Sequence, residues 1–459
     1  MAIDNVLSII LVGGQGTRLM PHTKYRAKSA VPFGALYRIV DFSISNMYNS
    51  GVPKVLLLAQ YKPKSLLDHV DGAFTHLFGS GHKGFIRMRT APDSSRPEFY
   101  MGTAHALTYH LDEIVDEKAR DICVFAGDHV TFMDVGQFVD FHREKDADLT
   151  IGVIAVPSET AVKQYGVLEI DADCRVRGYT EKPGTIGEVR EIPDRPGWCL
   201  ASMGNYVFKN DILVKEVEAL AAKEIPMRAG RIDRGKVEKN PDRYTSGDFG
   251  RDVIPGLLER SKNIFAYPLD KNSIPGVETP FWADVGTIKS NYETNLLMTE
   301  TKPPLNMFNP HWPIHTNINV YSPTKIVFDE HPDRVLFGMG VIMSGSRVSR
   351  CVIGSHTRIE KAYITDSVIF GETTINADRK SGVRIHRAII DKNVKNLGKA
   401  PIGIDVRRDI AGVLKPDVHG ERYWLFDLRT GEEITPETLK EGYVPQEYLT
   451  IVPRDYVFE

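Results

Sequence analysis

The hydrophobic rhythm of the chain changes twice, and each change marks a different architecture. Over residues 1–300, short apolar runs alternate with amphipathic stretches. Val6 to Val12, Lys54 to Ala59 and Asp121 to Ala126 read as buried strands. Leu107, Leu111 and Ile114 recur at helical spacing after Thr103, a predicted N-cap, and Val135, Phe138 and Val139 do so after Asp134. This alternation predicts an α/β domain with a mostly parallel sheet. From Leu149 to Val156 onward the strand-like pieces, Gly166 to Ile170, Arg175 to Tyr179 and Ser202 to Phe208, are separated by turn residues, which suggests a second pocket beside the first.

Residues 301–335 hold repeated prolines and read as a linker. Beyond it Ile342, Val348, Ile353, Ile359, Ile364, Ile369, Ile375, Ile385 and Ile390 recur in steps of mostly five or six, a period that fits neither helix nor strand. It predicts a left-handed parallel β-helix of the hexapeptide type over 336–400, with an irregular coil at Asp378 to Gly382. Residues 401–459 form an extension without a readable period, and its aromatic groups, Tyr423-Trp424 and Tyr456, suit either a packed edge or an oligomer contact.

Composition narrows the function. The 459 residues carry 57 Lys+Arg against 60 Asp+Glu, so a nucleic-acid binder working through bulk charge is not expected, and phosphate recognition should be local. No apolar run reaches the ~18–20 residues of a membrane span, and no basic residue precedes Arg18 as in a targeting peptide. Cys123, Cys174, Cys199 and Cys351 form no C-x-x-C pair, which favours reduced thiols in a cytoplasmic enzyme over zinc.

The candidate chemistry starts where the first strand ends. Gly13-Gly14-Gln15-Gly16-Thr17-Arg18 can curl so that backbone N–H groups approach an anion, and Lys28 follows ten residues after Arg18. The spacing is neither that of a P-loop nor that of a dinucleotide fold; an ordinary glycine turn is the plain alternative. Asp128 follows a buried strand and a glycine, a placement suited to a metal-binding carboxylate, and Asp284 is a second candidate. Lys182, in Glu181-Lys182-Pro183, could hold the phosphate of a smaller substrate, and Asp248-Phe249 offers a carboxylate and a ring face to a sugar.

The motifs GGQGTRL, RAKSAVPFG and YRIVDF within Leu11 to Asp41 closely resemble the opening of the ADP-glucose pyrophosphorylases, the glucose-1-phosphate adenylyltransferase family. The resemblance continues in order through Gln60-Tyr61, Gly102-Thr103-Ala104, Ala126-Gly127-Asp128-His129, Glu181-Lys182-Pro183, Asp248-Phe249-Gly250 and Asp284-Val285-Gly286-Thr287. It implies a Rossmann-like nucleotidyltransferase domain with a mixed, mostly parallel sheet, joined to the β-helix. It also implies formation of ADP-glucose from ATP and glucose 1-phosphate with Mg²⁺, for glycogen or α-glucan synthesis, by a homotetramer responding to a metabolite effector.

Carried onto this chain, the resemblance assigns Arg18 and Lys28 to the triphosphate, and Asp128 and Asp284 to the metal. Leu11, Gly13, Gly14, Gly16 and Thr17, with Gln60, Tyr100, Gly102 and Thr103, would surround the nucleotide. Gly166, Glu181, Lys182 and Ser202, with Tyr206, Asp248, Phe249 and Trp282, would surround glucose 1-phosphate, and Arg26 and Arg38 would meet the effector. The chain departs from the family pattern at Tyr25, at Ser29 and through Thr90 to His105, where the usual adenine-reading segment is absent. These departures leave open another nucleotide, dTTP or UTP, or a catalytically weak regulatory subunit, while His356 and His386 leave open an acyltransferase function for the β-helix.

Overall fold

The computed structural model describes residues 3–79, 84–91, 100–228, 231–260, 262–317, 321–327, 331–376, 382–394, 397, 401–440 and 443–458. Its centre is the strand Val6–Val12, which pairs in parallel with Lys54–Ala59 on one side and Asp121–Ala126 on the other, while Phe85–Thr90 extends the parallel set. Alternate residues feed two cores: Leu7, Ile9, Leu56 and Leu58 pack on one face, and Val6, Ile10, Val55 and Leu57 on the other. A strand buried on both faces needs apolar residues on both of them, which is why these runs do not alternate.

The sheet then turns antiparallel. Arg195–Lys209 pairs with Asp121–Ala126 through Tyr206 to Lys209 and with Leu149–Pro157 along most of its length. Its register shifts between Ser202 and Tyr206, where Gly204 adopts a positive φ of 72°. Gly166–Ile170 and Val176–Glu181 form a hairpin beyond it. The helix expected after Thr103 is instead two short pieces, His105–Thr108 and Leu111–Asp116, and Thr103 does not cap the first. Its hydroxyl is used across the chain, as described below.

The predicted linker is structured. Leu305, Met307, Trp312 and Ile314 are buried, and the Trp312 indole donates to Asn46 Oδ1 at 2.9 Å. The β-helix starts inside it, at Lys325–Val327, earlier than residue 336. Parallel coils follow with partners 16 residues apart (Ile342 to Arg358, Arg358 to Thr374), shorter than three full hexapeptides. Met343, Ile359 and Ile375 stack as one inward column, and Val348, Ile364 and Ile385 as another. From Ala362 to Val383 the step grows to 21 residues, and the expected irregularity at Asp378 to Ser381 lies outside the described residues.

The extension completes this β-helix. Tyr448–Val452 pairs in parallel with Ala388–Ile390, Trp424–Asp427 pairs antiparallel with it, and Tyr423, Tyr456 and Phe458 pack ring against ring at the end of the core. Tyr423, Tyr456 and Phe458 thus form a packed edge within the chain. Among the described residues, no helix is long and apolar enough to cross a membrane.

Candidate active site

Three strand ends meet at one edge of the sheet: Val12 leads into the glycine loop, its neighbour Ala59 into Gln60, and Ala126 into Gly127-Asp128. This is where an open α/β sheet collects ligands. Gly16 has φ 64°, and a Cβ on it would lie 2.7 Å from Thr23 Cγ2 and 3.1 Å from Lys28 Cβ. No other residue fits there, so the loop can fold back over its own downstream segment. Arg18 follows, exposed, on the single turn Thr17–Leu19.

The buried Lys28 side chain joins the two candidate carboxylates. Its Nζ is 2.6 Å from Asp128 Oδ2 and 3.2 Å from Asp284 Oδ1. Asp284 reaches Asp128 because Trp282–Asp284 pairs antiparallel with His129–Thr131, setting Asp284 opposite His129. Gly286 makes room, since a Cβ there would lie 2.6 Å from both Lys28 Nζ and Asp284 Oδ1. Burial alone would lower the Lys28 ammonium, but Asp128 and Asp284 together push it up. Burial would likewise raise the Asp128 carboxyl, yet Lys28, His129 and Arg18 hold it well below the usual carboxylate range.

One ligand atom each from Asp128, His129 and Asp284 lies within 4.8 Å of the others, the compact set a cation needs. The two hard carboxylate oxygens suit a divalent ion that takes its remaining ligands from phosphate and water. His129 stands edge-on to the Trp282 ring at 5.0 Å between centroids, and Trp282 meets Tyr165 in the same way at 5.2 Å.

A cavity of about 460 Å³ opens beside this cluster, and its walls include Gly13, Gly14, Gln60, Tyr100, Asp128 and Tyr206. At the mouth Gln15 Nε2 donates to the Tyr61 hydroxyl at 2.6 Å. Deeper in, Tyr100 shares a 2.7 Å hydrogen bond with His110 Nε2. Thr103 ties this side to the opposite wall, donating to Asp248 Oδ2 and accepting from Phe249 N, both at 3.1 Å. Asp248 also caps the turn Phe249–Val253 by accepting from Gly250 N, so the carboxylate beside the cavity is also a helix-terminus residue. Burial first, and Glu181 second, raise its pKa.

The nucleotidyl transferase family profile matches residues 7–301, and a GlmU-like C-terminal hexapeptide profile matches 322–415. The glucose-1-phosphate adenylyltransferase of Geobacter metallireducens is 37% identical over 417 residues, covering 88% of this chain and 93% of its own. Those of Thermus thermophilus and Bifidobacterium longum are 36% and 37% identical, each over 88% of this chain and 94% of their own. The chain belongs to the glucose-1-phosphate adenylyltransferase family.

Within the adenylyltransferase fold, the expected residues divide into two groups. Leu11, Gly13, Gly14, Gln60, Tyr100, Gly102, Thr103 and Asp128 line the cavity together with Tyr206, Asp248 and Phe249. Gly16, Thr17, Gly166, Glu181, Lys182, Ser202 and Trp282 are not part of its wall. Glu181 accepts from the Tyr179 hydroxyl at 2.6 Å and faces a separate hollow of about 210 Å³ behind the Phe249 turn, shared with Arg234 and Arg251. Lys182, at φ 51°, is half-exposed, 3.4 Å from Glu181.

The two residues assigned to an effector differ. Arg38 donates to the Ser65 carbonyl at 2.7 Å and borders a small hollow with Glu372 and Lys392. Arg26 is not an open cation: it is buried and bidentate to Asp391 of the β-helix at 2.8 and 3.0 Å. Of the divergent region Thr90 to His105, where the adenine-reading segment would stand, residues 92–99 lie outside the described residues. Sequence reasoning passed over His129, Tyr165 and Tyr179. The first stood directly beside Asp128 in the motif, whereas the tyrosines gave no signal because only folding brings them to the site.

Proposed function

We propose that this protein is a cytoplasmic glucose-1-phosphate adenylyltransferase that converts ATP and α-D-glucose 1-phosphate to ADP-glucose and pyrophosphate, supplying an α-glucan such as glycogen. The observation that carries this reading is the convergence of the Gly16 loop, Lys28, Asp128 and Asp284 at one sheet edge, beside a cavity whose other wall is Tyr206, Asp248 and Phe249. A phosphate oxygen of the sugar attacks the α-phosphorus in line. As that bond forms, the bond to the β-phosphate breaks, and pyrophosphate leaves with its electron pair.

The loop amides cradle the triphosphate while Arg18 and Lys28 neutralise it, so Lys28 exchanges a carboxylate contact for a phosphate oxygen. Asp128 and Asp284 would hold Mg²⁺, which when bound offsets charge building on the phosphates. Gln60 and Tyr100 border the base. On the sugar side Asp248 accepts hydroxyl hydrogen bonds, Phe249 and Tyr206 offer ring faces, and the half-exposed Lys182 is able to swing onto the sugar phosphate.

The reading extends to a homotetramer with weak or altered effector control. What supports the latter is that Arg26 is already bonded to Asp391, and Tyr25 to Glu421. The test is pyrophosphate release from purified protein with Mg²⁺, glucose 1-phosphate and each nucleoside triphosphate in turn. ATP-selective turnover supports the proposal; preference for dTTP or UTP replaces the base assignment, and no turnover by folded protein overturns it. Activity unchanged by fructose 1,6-bisphosphate, fructose 6-phosphate or 3-phosphoglycerate supports the altered control, and a strong response to one of them refutes it.

A further inference from the structure

The segment between Arg18 and Lys28, the two cations assigned to the triphosphate, is a strap with little structure of its own. It consists of single turns, Thr17–Leu19, His22–Lys24 and Lys28–Ala30, none long enough to hold its shape through internal hydrogen bonds. Its position is therefore set by what it touches.

Upward, it touches the glycine loop: the Thr23 hydroxyl donates to the Gly16 carbonyl at 2.7 Å, and Thr23 fills the space a Cβ on Gly16 would need. From the side, Lys62 Nζ donates to the Thr23 carbonyl at 2.6 Å. Downward, it touches the C-terminal half of the protein through two carboxylates. Asp391 takes both prongs of Arg26, and Glu421 Oε1 accepts from the Tyr25 hydroxyl at 2.6 Å and from Lys24 at 2.5 Å.

Both carboxylates are themselves fixed. Asp391 N donates to the Val452 carbonyl at 3.0 Å, binding it to the tail strand. Glu421 is buried in a turn, its N donating to Asp417 Oδ1 at 2.8 Å and its carbonyl accepting from Asp417 N at 2.7 Å. Glu421 lies beyond residue 415, where the hexapeptide match ends. The exposed Lys24 end of the pair contributes little by charge alone; the short bond from the Tyr25 hydroxyl to a fixed, buried acceptor gives the contact its geometry.

We infer that Glu421 of the C-terminal tail is a positioning residue for the nucleotide's phosphates, acting with Asp391 through the strap to hold Gly16, Arg18 and Lys28 in binding geometry. This rests on the assignment of Arg18 and Lys28 to the triphosphate. Two contacts, Glu421 to Tyr25 and Thr23 to Gly16, separate the tail from the loop. A shift of the strap therefore misplaces the phosphate donors without touching the sugar wall at Asp248 and Phe249.

The test pairs calorimetric binding of inorganic tripolyphosphate with steady-state kinetics on the full chain. Glu421→Ala is expected to weaken tripolyphosphate binding and raise the KM for ATP by about tenfold, leaving the KM for glucose 1-phosphate within about twofold. Glu421→Gln keeps an oxygen for the Tyr25 hydroxyl and is expected to recover most of the loss. Tyr25→Phe removes only the hydroxyl of a residue that is 42% exposed, so it folds, and it is expected to give about a threefold effect in the same direction. Unchanged tripolyphosphate affinity in both Glu421→Ala and Tyr25→Phe overturns the inference, as does an equal rise in both KM values, which a general loss of structure would give. Wild-type protein that binds tripolyphosphate but does not turn over ATP with glucose 1-phosphate refutes the proposed function alone, and the inference is then decided by the variants' binding. Wild-type protein that binds no tripolyphosphate overturns the inference itself.

Discussion

Lys28 sets its ammonium 2.6 Å from Asp128, between the two carboxylates of the candidate cation site. In this arrangement the lysine balances charge that a metal ion and phosphates would otherwise rearrange. Asp128→Asn removes one of the two negative charges while keeping the shape, and Asp284 still pairs Lys28. The variant is expected to keep its melting temperature within a few degrees and to lose about a hundredfold or more in kcat. Near-normal turnover would remove Asp128 from the mechanism.

The same pair carries a second expectation. If Lys28 competes with the metal for Asp128 and Asp284, then Lys28→Met, similar in length but neutral, should bind Mn²⁺ more tightly in the absence of nucleotide, by about tenfold, while turnover collapses. Mn²⁺ titration followed by electron paramagnetic resonance reads this directly. Equal or weaker Mn²⁺ binding would mean that the lysine does not block the cation site.

Which of these relationships the sequence made legible follows from the distance over which each is made. Val6 to Val12 and Asp121 to Ala126 were readable because strands buried on both faces carry apolar residues on both, and the residues after them were then placed at a sheet edge. Asp128 and Asp284 could each be offered as a carboxylate candidate, but the local pattern gave no sign of how they meet, because their contact is made by a three-residue strand pair with no period. Thr103 looked like a cap because caps are local, yet its hydroxyl serves Asp248 and Phe249, about 145 residues away in sequence. The tail was opaque because it adds single strands to coils built by earlier residues and one carboxylate, Glu421, to the strap, and repeats cannot announce a partner that does not repeat.

Thr103 joins the side of the cavity proposed for the nucleotide to the wall proposed for the sugar. Thr103→Val keeps the volume but leaves Phe249 N–H without its acceptor and takes the Thr103 hydroxyl from Asp248 Oδ2, whose other oxygen keeps its bond from Gly250 N. The sugar wall should loosen, raising the KM for glucose 1-phosphate by about tenfold with a smaller change for ATP. This is the reverse of the pattern expected for Glu421→Ala, so the two variants together separate the two halves of the cavity.

Asp409 gives the tail a pH dependence. Its Oδ2 accepts from Gly403 N and the Tyr448 hydroxyl at 2.9 Å, its Oδ1 is buried without a partner, and burial raises its pKa to about 6. A carboxyl whose folded pKa lies above its unfolded value favours folding when protonated. Its contribution is therefore full below the unfolded value near 4 and is lost as pH rises through about 6, by up to about 3 kcal/mol. The tail should melt at lower temperature at pH 8 than at pH 5, and Asp409→Asn should flatten that difference. A difference undiminished in the variant would assign it to another group.

Arg26 and Asp391 form the buried bolt between the catalytic domain and the β-helix, and the consequence of breaking it depends on how it is broken. Burial would raise the Asp391 carboxyl, but Arg26 and His22 outweigh it and hold it well below the usual range, so the pair stays charged across neutral pH. Arg26→Ala leaves Asp391 buried and uncompensated, which should cost about 3–5 kcal/mol. The double change Arg26→Met with Asp391→Leu replaces both charges by apolar groups and should recover most of that loss, because the desolvation cost of both ions disappears with their attraction. Calorimetric melting of the two variants distinguishes a bolt from a spectator: a single variant as stable as the wild type would mean that water or a rearranged strap already compensates Asp391, while a double variant no better than the single one would mean that the two charges are needed to align the strap against the β-helix.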